Sequence, residues 1–317
     1  MINLLPKHVV PPASVVTPKL AYIGLTSKCQ MRCKQCVVPE DLRKTRPVFR
    51  SRVDLNRDFK TLQKLGVESV TLSGGEPTLC FSLIEIVTAA KRHFKTVNVI
   101  SNCYNPLMLK RIFGKADVWV SLDYYGEEQD HYRGAAGLWR NFTDLIEKVN
   151  VRSTLMSNNL ADVKQIIAAS CKFGRQVTVA PYRGDNIDLA PSPEDLKQLI
   201  HFIYVNGYEK LAVIDDCATR QYLATKTGVT RFVGCNAITG IINITPEGIV
   251  TPCPFLPYPI ADIRDPHLAQ KLYVARQQLL TVYPEKCQMC RYKQQCGGCK
   301  GSINAHCFID QPVVEVN

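Results

Sequence analysis

The sequence holds no stretch of roughly 20 apolar residues, so nothing in it reads as a membrane-spanning helix, and a membrane is excluded as a partner. Its first residues, MINLLPKHVVPPASVV, lack both a charged region ahead of a long apolar run and a small-residue cleavage site. That absence argues against a secretory signal and for a cytoplasmic protein. No low-complexity tract is present, and 46% hydrophobic against 21% charged residues is the balance of a globular chain. An aromatic-rich basic stretch or RNA-binding module is also missing, which counts against nucleic acid as a partner. What the chain does have is 14 cysteines in 317 residues and a formal charge of +11, from 39 Lys and Arg against 28 Asp and Glu. Cytosolic thiols are kept reduced, so so many cysteines point to metal binding before disulfides.

Along residues 20–180, short apolar or β-branched runs alternate with helical periodicities. The runs are 20–26, 67–72, 96–100, 117–122, 150–155 and 176–180. Between them, Leu55, Phe59, Leu62 and Leu65 form one apolar stripe, and Leu160, Val163, Ile166 and Ile167 another. Ser82 with Glu85 reads as a capping box, and Asn105-Pro106 as a cap followed by Pro at the first helical position. Parallel strands need such crossovers, so the fold expected is α/β, an open six-unit (β/α)6 partial TIM barrel over 20–185 behind an N-terminal extension, 1–19. A bridging helical segment follows over 186–231, with one helix near 194–205. A small Cys-rich domain then fills 232–317, with a hairpin at 240–252 turning on Pro246-Glu247-Gly248 and a helix near 266–280.

Directly after the first strand stands SKCQMRCKQC, in which Cys29, Cys33 and Cys36 are spaced C-x3-C-x2-C. Three thiolates so close together suit one corner of a 4Fe–4S cluster and leave the fourth iron without a protein ligand, where chemistry can occur. Structural zinc usually takes four ligands in two close pairs, which this run does not supply. A loop after a barrel strand also lies at the C-terminal face, where barrel active sites sit. The second strand ends in Ser73-Gly74-Gly75-Glu76-Pro77, whose glycines allow a ligand to approach the backbone closely.

These motifs resemble those of the radical SAM superfamily, in which C-x3-C-x2-C binds the cluster and a GGEP sequence faces the amino group of S-adenosylmethionine (SAM). The resemblance implies SAM contacts from Gly74, Gly75 and Glu76, from Ser101 at the end of the third strand, and from Ser121 of Ser121-Leu122-Asp123, which would meet the ribose. It implies that Arg133 meets the SAM carboxylate. Many relatives place an aromatic near the adenine just before the third cysteine, and here that position is Gln35.

The C-terminal cysteines follow C-x12-G-x4-C, a gap, C-x2-C-x5-C-x2-C and a last Cys, which resembles the SPASM extension of these enzymes. The resemblance implies an inner auxiliary cluster on Cys235, Cys253 and Cys299, with Cys217 a candidate fourth ligand, and an outer one on Cys287, Cys290, Cys296 and Cys307. A pair of zinc ribbons is the competing reading of the C-x2-C pairs alone. Three 4Fe–4S clusters and SAM are therefore the expected cofactors, and a low-potential donor such as ferredoxin or flavodoxin the expected electron source. The implied reaction is reductive cleavage of SAM to a 5′-deoxyadenosyl radical, which removes a hydrogen from a peptide or protein side chain or from a tetrapyrrole-like precursor. An RNA-modifying enzyme of this superfamily is the alternative that the charge favours. Sulfatase-type members carry Asp directly after the second SPASM cysteine, where this chain has Pro254. Peptide maturases often carry a leader-binding domain of roughly 80 residues, and only about 19 precede the barrel here, which counts against that class unless a separate recognition protein replaces the domain. The three clusters would together bring about −5, so +11 falls to roughly +6 and the case for nucleic acid weakens.

Overall fold

The computed structural model describes residues 17–36, 38, 46–184, 186–216, 235–283, 287–290 and 298–301. The six strands read from the sequence form a parallel run: β1 (Leu20–Thr26), β2 (Ser69–Gly74), β3 (Thr96–Ser101), β4 (Asp117–Ser121), β5 (Asn150–Leu155) and β6 (Val177–Pro181). Helices α1 (Arg52–Lys64), α2 (Leu83–Ala90), α3 (Pro106–Ile112), α4 (Glu128–Arg133), α5 (Leu138–Thr143) and α6 (Leu160–Lys172) lie between successive strands. In β1, Ala21, Ile23 and Leu25 are fully buried against the helix layer, where α1 contributes Leu55, Phe59 and Leu62. The α/β partial barrel is thus as expected.

The sheet continues at both edges. After α7 (Pro193–Val205), β7 (Ala212–Ile214) pairs in parallel with β6, adding a strand that the polar bridging segment did not suggest. Its three residues are too few for a period to be read. At the other edge the expected hairpin forms as β8 (Ile241–Ile244) and β9 (Ile249–Thr251), with Gly248 at φ 90° in the turn. Strand β8 runs parallel to β1, so the start of the Cys-rich region extends the barrel's own sheet, and the two-residue β10 (Ala261–Asp262) closes that edge against β9. Pairing in this way covers an edge that an open barrel would leave bare. Helix α8 (Leu268–Thr281) then packs beside the hairpin through Leu268 and Leu272.

Local signals were met unevenly. Asn105 Oδ1 accepts the Met108 N–H at 3.1 Å, as an N-cap should, and Pro106 opens α3. Ser82 stands at the start of α2 but makes no side-chain cap bond; the capping box lies at Ser192 and Asp195 of α7 instead. Among the described residues no helix is long and apolar enough to cross a membrane.

Candidate functional site

The C-terminal ends of β1 to β6 converge on a cleft of about 240 Å³. Cys29, Cys33 and Cys36 line it, with Cys29 and Cys33 half-buried and Cys36 exposed. Their loop is tied down by backbone: Gly75 N–H donates to Thr26 O at 2.6 Å and Glu76 N–H to Lys28 O at 2.8 Å. A side chain at Gly74 or Gly75 would overlap those same carbonyls, and Gly74 holds φ 128°. The two glycines therefore let the end of β2 lie against the start of the cysteine loop, in addition to facing the cleft.

Glu76 is buried, and its carboxylate is fully engaged. Oε1 accepts from the Thr78 N–H at 3.0 Å, Thr78 Oγ1 at 2.7 Å and Ser101 Oγ at 2.8 Å, while Oε2 accepts the Asn102 N–H at 2.8 Å. Burial raises its pKa, and these donors pull it down. Both Glu76 and Ser101 thus line the cleft with their polar atoms spent on each other, joining β2 to β3. Ser121 also lines it, its carbonyl held by Gln129 Nε2 at 3.1 Å.

Around the thiols, Met31 N–H donates to Cys29 Sγ at 3.4 Å, Asn102 Nδ2 stands 3.9 Å from the same sulfur, and Arg133 Nη1 3.7 Å from Cys33 Sγ. Burial pushes the Cys29 thiol up to about 11, with Glu76, Cys33 and Cys36 adding to the rise. Arg133 is buried beside Asp123; desolvation lowers its pKa, but Asp123 and Cys33 outweigh that and hold it raised. Gln35, also buried, points its Nε2 to Asp123 Oδ2 at 2.5 Å. Among the described residues, neither Gln35 Oε1 nor Arg133 Nε has a hydrogen-bond partner.

On the opposite side the cleft is walled by Tyr182, Arg183, Pro254 and Phe255. Arg183 and Phe255 also line a second, smaller cavity of about 40 Å³ with Cys235, Cys253 and Cys299. The structure thus brings these three thiols together, one wall away from the first set. Arg183 donates to Asp215 O at 2.7 Å and Asp216 Oδ1 at 2.9 Å and lies 4.5 Å from the Phe255 ring centre. Burial pushes the Cys253 thiol up to about 12. Arg276 of α8 fixes the loop of Cys235 by donating to Cys235 O at 2.9 Å and Ala237 O at 3.1 Å. Cys287 and Cys290 sit together, the Cys290 N–H on Cys287 O at 3.3 Å. Cys217, Cys296 and Cys307 lie outside the described residues.

Three further side chains near the strand ends are taken up in packing. Tyr124 packs against Tyr132 with ring centres 4.4 Å apart, Tyr125 against Trp139 at 4.5 Å, and Cys103 is buried. Asp123, Asn102 and Arg183 were not singled out by the sequence, since each acts through partners distant along the chain.

The donor set suits iron and sulfur: the first loop offers three thiols with an unpartnered guanidinium nitrogen close by. Among the described residues no group of three His, Cys, Asp or Glu is gathered to hold a single metal ion. A partial barrel with this loop after its first strand defines the class of enzymes that bind a cluster and SAM at the barrel mouth. Residues 23–152, about two-fifths of the chain, match the Radical SAM superfamily. The chain is 24% identical to the AdoMet-dependent heme synthase of Methanosarcina barkeri (strain Fusaro / DSM 804), over 91% of this chain and 93% of that one. It is 25% identical to the sporulation killing factor maturation protein SkfB of Bacillus subtilis (strain 168), over 61% of this chain and 49% of that protein. In fold it is similar to Streptococcus suis SuiB, solved with its precursor peptide SuiA and with S-adenosylmethionine, at TM-score 0.72 and 17% identity over 90% of this chain. The match to the peptide-bound structure covers 72% of that chain.

Proposed function

We propose that the protein is a radical SAM oxidoreductase or maturase with two auxiliary 4Fe–4S clusters, acting on a substrate held between the two cysteine-lined cavities. The observation that carries this is the shared wall: Arg183 and Phe255 face both the cleft of Cys29, Cys33 and Cys36 and the cavity of Cys235, Cys253 and Cys299. When bound, the first cluster and SAM supply a one-electron cleavage that yields a 5′-deoxyadenosyl radical. Gly74, Gly75, Ser121, Arg133 and Gln35 hold and orient SAM, with Arg133 at its carboxylate, while Glu76 and Ser101 brace the strand ends. Tyr182 and Phe255 narrow the cleft and exclude water from the reacting carbon. Cys235, Cys253 and Cys299, completed by Cys217, hold the inner auxiliary cluster, and Cys287, Cys290, Cys296 and Cys307 the outer one. Asp215, two positions before Cys217, lines the inner cavity, and Asp216 pairs with Arg183 of its wall, which supports Cys217 as the fourth ligand.

The end-to-end match to the heme synthase favours a tetrapyrrole-like precursor as substrate. A peptide side chain is the second reading, favoured by the likeness to SkfB. Anaerobic purification tests the cluster content: a brown protein with about 12 irons and absorbance near ~400 nm is expected, and a colourless zinc protein would overturn the reading. With SAM and dithionite the enzyme should release 5′-deoxyadenosine, and a Cys29, Cys33, Cys36 triple alanine variant should release none. Mass spectrometry of incubations with a porphyrin precursor and with a precursor peptide then separates the two substrate classes.

A further inference from the structure

Asp123 follows the end of β4, is wholly buried, and has no part in the SAM contacts above. Its Oδ1 accepts the Thr154 N–H of β5 at 2.7 Å. Its Oδ2 accepts from Gln35 Nε2 at 2.5 Å and from the guanidinium of Arg133. The backbone is held as well, with Asp123 N–H on Gln129 Oε1 and Asp123 O receiving Asn159 Nδ2, both at 3.0 Å. Gln35 lies directly before Cys36, and Arg133 Nη1 reaches within 3.7 Å of Cys33 Sγ. A single carboxylate oxygen therefore grips both the loop that carries the thiols and the cation that touches one of them.

The side chains of Arg133 and Asp123 are 8% and 1% exposed, so their charges are poorly screened. Reducing a cluster by one electron adds one negative charge. A lone cation beside Cys33 would favour the reduced state and raise the potential, and a lone anion would lower it. Paired, the two nearly cancel. The pairing also fixes the guanidinium so that its Nε has no partner among the described residues and faces a ligand.

We propose that Asp123 is a positioning residue that aims Arg133 at Cys33 and balances its charge, and that it thereby sets the reduction potential of the cluster held by Cys29, Cys33 and Cys36. The proposal rests on that cluster being present. EPR-monitored redox titration of the reconstituted holoenzyme tests it, with the signal of the Cys29, Cys33, Cys36 triple alanine protein subtracted to isolate this cluster. Asp123→Asn should move the midpoint positive and Arg133→Met should move it negative. The double variant should lie between the two, because each residue acts through the other. A merely structural role would lower iron content and thermal stability in both variants without shifts of opposite sign. Midpoints that stay put, or that move the same way, overturn the proposal. Should Asp123→Asn take up no iron, Arg133→Met decides: an unmoved or positive midpoint overturns it. A wild-type protein with no subtractable signal overturns the cluster reading itself, a result distinct from a signal that is present and does not shift.

Discussion

At the scale of single residues, the sharpest demand on the chain falls on Gly75. A methyl group there would overlap the Lys28 carbonyl, and backbone on both sides leaves no flexible side chain to give way. Gly75→Ala should therefore destabilise the protein by roughly 2–4 kcal/mol and lower its iron content, checked by thermal denaturation and iron assay. The cysteine spacings and the GGEP sequence were legible because each is a local pattern. The partners of those residues were not. Glu76 read as a SAM contact, yet its oxygens are taken up by Thr78, Ser101 and Asn102. Asp123 meets Gln35 across 88 residues of sequence, a distance over which no spacing rule operates.

At the scale of elements, the starts of three neighbouring strands are linked by charge. Glu68 Oε1 and Oε2 accept from Lys19 at 2.8 Å and Lys95 at 2.6 Å, and hydrogen bonds from these lysines lower the Glu68 pKa to about 2. A depressed carboxylate pKa gives stability that is present above the unfolded value of about 4.3 and is lost as pH falls toward 2. Glu68→Gln should flatten this part of the acid limb of a pH–stability curve, and added salt should shrink the difference because the group is exposed. Caps give a second contrast. Ser192→Ala removes a capping box and should cost about 1 kcal/mol, whereas Ser82→Ala should stay within about 0.5 kcal/mol, both read from denaturant midpoints. The sequence made Ser82 and Glu85 look like a capping box, since composition shows which side chains could cap but not which rotamer and chain entry they adopt. Strand β7 stayed invisible for a related reason: it owes its state to the exposed edge of β6, not to three residues of its own.

At the scale of the whole molecule, the Cys-rich region is not an appendage. It begins as strand β8 on the free side of β1, the strand whose end carries the first cysteine loop. Cutting the chain before residue 235 should therefore uncover the β1 edge and give a protein that aggregates, rather than a soluble barrel with one cluster; size-exclusion chromatography of the truncated protein checks this.

The same pairing bears on how the protein is made. Leu20 is among the first residues of the sheet to leave the ribosome and its partner Ile241 among the last, and at ~5–20 residues per second the gap is roughly ten to forty seconds. For that interval the strand leading into Cys29 has its β2 side satisfied and its other side open. Chaperones that shield bare strand edges and the machinery that delivers iron and sulfur would thus meet a nascent barrel whose first binding loop is complete in sequence but framed on one side alone.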